Sequence, residues 1–271
     1  MVMPMGLPIP ILITYVILTA LIPGLLATWL GVGGCFLRIP MLMFLFNLPI
    51  KVAYCVNQAV VALTTIPGVL VHIRERHVYT KGFIVASLSA MAGVALGAYV
   101  VAKYLPSQVL KVFFGAVCVG IGIYVSYRTL KLRKKLTVRK VVTPKMVLEA
   151  GPKLSVLMFI AGFATGICGF GGGIYFVPVY LGLGYPTHVA IGTSSTQMIL
   201  VAGLGSTVLT INGFMNVLML LLIGIPTLLA SWIGAKLAAK SPPWILRLIY
   251  GLAIIAAGLY VSINALSSLI V

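Results

Sequence analysis

Apolar residues run in blocks of about 20 along almost the whole chain, divided by short polar or glycine-rich interruptions. A block of that length is what a helix needs to cross roughly 30 Å of hydrocarbon. The pattern predicts apolar helices over residues 11–30, 52–73, 82–104 and 110–130, then over 154–168, 189–211, 214–239 and 245–269. Two further blocks, 35–46 and 174–183, are too short to span comfortably. Each follows a glycine cluster, Gly31-Val32-Gly33-Gly34 before the first and Gly169-Phe170-Gly171-Gly172-Gly173 before the second. Glycine permits backbone angles that end a helix, and a break at membrane depth is tolerable only where protein buries it or a wet cavity solvates it. Transporters place their substrates at such breaks.

The order of blocks occurs twice. Pro40 matches Pro178, Pro49 matches Pro186, Gly68 matches Gly205, Gly97 matches Gly234 and Tyr124 matches Tyr260, with slips of a single residue. The reading is an internal duplication, with residues 1–130 as one transmembrane repeat, 131–150 as a basic cytoplasmic linker and 151–271 as the second repeat.

Composition agrees with a membrane setting, since 61% of the 271 residues are hydrophobic and only 8% charged, against about 25% in a soluble domain. The net charge of +17 comes from 19 Lys and Arg against two acids, Glu75 and Glu149. Because the basic residues cluster between apolar blocks, they read as topology signals and contacts to anionic lipid, not as a nucleic-acid surface. Arg74, Arg76 and Lys81 lie in a first-repeat loop whose counterpart at Asn212-Gly213 is uncharged, and Lys236, Lys240 and Arg247 lie at the next second-repeat turn. If basic loops face the cytoplasm, the repeats are inverted and both termini lie outside. Parallel repeats of four crossings each are the alternative. The fold class predicted is an all-α polytopic membrane protein of two homologous repeats, inverted, each with a glycine-broken unit plus three spanning helices.

Candidate chemistry gathers at the breaks. Helices that start after Gly33, Gly34, Gly171, Gly172 and Gly173 would point positive dipole ends into a cavity, which suits a small oxyanion; close helix packing is the plainer use of such glycines. Thr193, Ser194 and Ser195, and in the first repeat Asn57 and Gln58, supply donors without a buried charge. Arg38 follows the first break, where it either faces the site as a fixed charge or snorkels to an interface. Lys51 and His188 read as interfacial. Neither acid lies inside an apolar block, which excludes a carboxylate proton relay. His188, a cation held by backbone carbonyls, or a proton carried by the substrate are the routes left for a coupling ion. Cys35, Cys55, Cys118 and Cys168 have no metal-site spacing. There is no cofactor motif, and no nucleophile, base and orienting group fall together as an enzyme requires.

These features resemble the TauE/SafE sulfite exporters, a family of anion permeases: two glycine clusters followed by Pro40 and Pro178, Ala190-Ile191-Gly192-Thr193-Ser194 downstream, and late Gly and Tyr residues at 120–124 and 251–260. In the first repeat Ala53-Tyr54-Cys55-Val56-Asn57 stands where the family favours Gly-Thr-Ser. The resemblance implies a carrier in the cytoplasmic membrane for sulfite or a small organosulfur anion such as a sulfonate, working by alternating access, with an oligomer allowed. A channel-like anion pore and a noncatalytic membrane anchor acting through the basic linker are the competing readings.

Overall fold

The structure is a computed structural model that describes residues 8–30, 34–74, 78, 80–132, 151–183, 185, 187–238 and 243–270. Among them it is helical with no strand: α1 (Ile9–Leu30), α2 (Cys35–Leu45), α3 (Ile50–Thr64), α4 (Ile66–Arg74), α5 (Thr80–Lys103), α6 (Ser107–Leu132), α7 (Gly151–Cys168), α8 (Gly173–Gly182), α9 (Thr187–Ile211), α10 (Val217–Ala238) and α11 (Pro243–Ile270). Among the described residues four segments are long and apolar enough to cross a membrane: Ile50–Leu70, Phe83–Lys103, Ser107–Lys131 and Val189–Ile211. Most of the 131–150 linker lies outside the described residues, as do Gly33, Glu75, Glu149 and Pro186, and the side chain of His188 is not described.

The glycine-flanked short blocks are short helices, as expected. At 11 and 10 residues, α2 and α8 cover only about 15 Å each. One expectation fails: residues 52–73 are not a single helix. Thr64 and Thr65 both turn their hydroxyls back onto Val61 O, at 3.4 and 2.9 Å, and Pro67 offers no N–H to the preceding turn. The chain therefore breaks into α3 and α4. A second boundary differs slightly. Asn216 accepts the Met219 N–H at 3.0 Å and starts α10 at Val217, three residues after the apolar block begins.

Small residues set the helix pairing. Gly162 of α7 abuts Ala90 of α5, while Gly166 abuts Val94, Gly97 and Ala98, so contacts advance together and the two helices run parallel. Gln197 of α9 reaches Ala86 of α5 and Gly205 of α9 meets Val94, which makes α9 parallel to both. Since α7 and α9 run the same way, α8 and its flanks must carry the chain back between them. By contrast α6 and α11 are antiparallel, with Gly115 against Gly258 and Ser262, and Gly122 against Gly251 and Ile255. Gly24 of α1 sits against Thr227 and Ala230 of α10.

At the centre α3 crosses α9 in antiparallel fashion. Cys55 meets Ser206 and Thr210, while Gln58, one turn further along α3, meets Gly205. Every residue from Ala53 to Val61 is buried, so α3 is enclosed on all sides. Outward, large apolar residues such as Leu88, Leu130, Ile211 and Leu229 are exposed, the distribution expected where hydrocarbon is the solvent.

Candidate anion site

The site forms where the two breaks converge on α3. Gly34, with φ of 63°, ends the first break and caps α2 without a side-chain hydrogen bond. Gly172, with φ of 104°, does the same for α8. Both helices therefore begin with N–H groups that no capping side chain satisfies.

One turn into α2, Arg38 is fully buried. Its Nη1 donates to Asn57 Oδ1 at 3.1 Å, and Asn57 Nδ2 donates to Gly169 O at 2.7 Å. This short chain ties the first break to the second through α3. Arg38 Nε and Nη2 have no partner among the described residues. The charge is therefore held deep in the protein by one amide, with donors left over. Burying an unpaired guanidinium costs several kcal/mol, so a sequence that retains one has a use for it.

Around this chain the walls are aromatic. Tyr54, one turn before Asn57 on the same face of α3, lays its ring against Gly169. Phe114 of α6 lies 6.1 Å from Tyr54 and 5.1 Å from Phe170, and Phe170 lies 6.1 Å from Tyr175, measured between ring centroids. Cys35 and Cys168 flank the breaks as buried cysteines, and Cys118 is buried against Gly258 on α11.

The other candidates lie around this centre in different ways. Gly171 packs against Val61 of α3 and Gly173 is the buried first residue of α8. Gln58 points away from Asn57, toward α9, and neither of its polar atoms has a partner. Thr193 and Ser194 are fully buried on α9, with Ser194 Oγ unpartnered, whereas Ser195 is half-buried. No hydrogen bond joins these α9 residues to Arg38. Lys51 reaches Ala102 O at 3.2 Å and sits 5.4 Å over the Phe214 ring. It closes off the end of α5, where a cation also meets the helix dipole favourably.

Sequence reasoning missed the role of Gln197. Fully buried, it accepts from Tyr180 of α8 at 2.9 Å and donates to Ala86 O of α5 at 3.0 Å, fastening the short helix to its neighbours. Only its place in the polar run that begins at Gly192 hinted at this.

Helices long and apolar enough to span a membrane, with a buried cation tied to both glycine breaks, fit a multi-pass membrane protein. The model of the sulfite exporter TauE/SafE family matches residues 16–261, and the chain belongs to that family. It is 26% identical over 265 residues to a probable membrane transporter protein of Methanocaldococcus jannaschii, covering 92% of this chain and 95% of that one. Two probable membrane transporter proteins of Bacillus subtilis are 25% and 28% identical, over 86% and 82% of this chain and 93% and 86% of their own. No solved structure matches. Family and relatives alike point to a transporter and not to an enzyme.

Proposed function

We propose that the chain is a secondary carrier for sulfite or a small organosulfur anion, moved by alternating access of two inverted repeats around the Arg38 site. The observation that carries the reading is Arg38 itself, a buried guanidinium whose Nε and Nη2 are unpartnered among the described residues and whose Nη1 is linked to the second break through Asn57. The two uncapped helix starts add positive potential in the same region. An anion would relieve that arrangement, and the family description supplies the sulfur chemistry.

The pairing of helices supports the inverted repeats. Exchanging α1 for α7, α2 for α8, α3–α4 for α9, α5 for α10 and α6 for α11 turns the α5–α7 contact into the α10–α1 contact and leaves α3–α9 and α6–α11 paired. Gly24 against Thr227 becomes Gly162 against Ala90. A two-fold axis along the membrane normal would leave α6 and α11 parallel. Their antiparallel contact instead fits an axis in the membrane plane.

The experiment is a thermal-shift screen of purified protein with sulfite, sulfate, thiosulfate, taurine, sulfoacetate and phosphate, since a ligand of the folded state raises its stability by mass action. Saturable stabilisation by a sulfur oxyanion is expected, and its loss in Arg38→Gln. A panel with no response would speak against the carrier.

A further inference from the structure

Asn57 uses both arms of its amide on the protein. Its Oδ1 accepts from Arg38 Nη1 at 3.1 Å and its Nδ2 donates to Gly169 O at 2.7 Å, and all three residues are buried. The partners fix which way the amide points. A guanidinium has donors alone and a carbonyl oxygen accepts, so a flipped amide would set donor against donor and acceptor against acceptor. Both ends of this bridge are anchored. Gly169 donates its N–H to Thr165 O at 2.9 Å, holds a φ of 70°, and lies so close to the Tyr54 ring that a Cβ would collide with it. Arg38 N–H donates to Gly34 O at 3.3 Å in the first turn of α2. The guanidinium is thereby held in register with the second break.

The choice of an amide for this place is informative. A carboxylate is the stronger partner for a guanidinium, since it matches the fork with two oxygens and carries the opposite charge. Aspartate has the shape and length of asparagine, so the two differ here in charge and in donors. An aspartate would neutralise Arg38 and would also set an oxygen against Gly169 O, where no donor would remain. Asparagine supplies an acceptor for Arg38 and a donor for Gly169, and it leaves the positive charge whole.

We propose that Asn57 is the positioning residue of the anion site, a neutral bridge that aims Arg38 from the second break while keeping its charge for the anion. This rests on the anion reading of Arg38. Asn57 then acts through the guanidinium and not by touching the ligand. Two changes at this position have different consequences. Removing the amide frees Arg38 to turn, which costs the ligand a prearranged partner. Replacing the amide by a carboxylate gives Arg38 an internal anion with which the ligand must compete, and that is the larger loss.

The test measures binding of sulfite at neutral pH to the purified full chain in detergent, for the wild type, Asn57→Ala, Asn57→Ser, Asn57→Asp and Arg38→Gln, with the melting temperature of each recorded without ligand. Asn57→Ala and Asn57→Ser are expected to weaken sulfite about tenfold, the scale of one hydrogen bond to a charged group. Asn57→Asp should weaken it at least tenfold more than either. A role in joining helices alone predicts the reverse order, because aspartate keeps the tie to Arg38 that alanine lacks. Asn57→Asp binding no more weakly than Asn57→Ala overturns the proposal, and so do alanine and serine variants that fold and bind as the wild type does. A wild type that binds no sulfite, or Arg38→Gln binding it at wild-type strength, overturns instead the anion reading beneath the proposal.

Discussion

Gly172 holds a φ of 104°, and a Cβ there would collide with the Phe176 ring. Gly172→Ala should therefore destabilise the protein by about 1–2 kcal/mol, the cost of forcing a side chain into left-handed backbone, and should weaken anion binding by shifting the start of α8. A lowered melting temperature with unchanged affinity would separate the turn from the site. Ser194 and Ser195 make a contrasting pair, one fully buried with an unpartnered hydroxyl and the other half-buried. Ser194→Ala is expected to weaken sulfite binding severalfold, and Ser195→Ala to do so less, with melting of the free protein unchanged in both. Unchanged affinity in both removes these two serines from the site. Arg38 and Asn57 were legible in the sequence because charge and amide are rare in apolar blocks. The fastening role of Gln197 was not, because an amide's partners show only once burial and neighbours are known.

At the scale of elements, hydropathy located most of the helices, since a membrane-spanning block announces itself by length alone. It missed the α3–α4 break, where two threonine back-bonds and a proline act inside an unbroken apolar run. It also gave no sign of which helices would touch. That is decided by glycines whose missing side chains admit a neighbouring backbone. Gly162 is one, set against the backbone of Ala90. Gly162→Val should separate α5 from α7 and cost about 1–3 kcal/mol through overpacking, read as a fall in melting temperature. Gly182→Ala, with open space around it, is the control that should leave melting unaltered. Equal effects of the two would mean that the α5–α7 contact is not set by its glycines.

For the whole molecule, helix directions and basic loops bear on one topology. With α5, α7 and α9 parallel and α6 and α11 antiparallel, the ends near Ile73 and Pro243 fall on one side and those near Pro106 and Asn212 on the other. By the positive-inside rule the basic residues predict that the first side is cytoplasmic. Single cysteines at Ile73 and Pro243, in a background lacking the four native ones, should react with an impermeant thiol reagent only from the cytoplasmic face, and cysteines at Pro106 and Asn212 only from outside. Labelling of Pro243 from outside would break the inverted arrangement.

The most direct test of an anion carrier built on Arg38 is counterflow. The full chain is reconstituted into liposomes loaded with unlabelled sulfite, and uptake of labelled sulfite is followed over time. Wild-type protein is expected to show transient, saturable accumulation that requires the internal load, and Arg38→Gln to show none beyond protein-free liposomes. Uptake that neither saturates nor depends on the load, or that persists at the wild-type level in Arg38→Gln, would contradict a carrier centred on this residue.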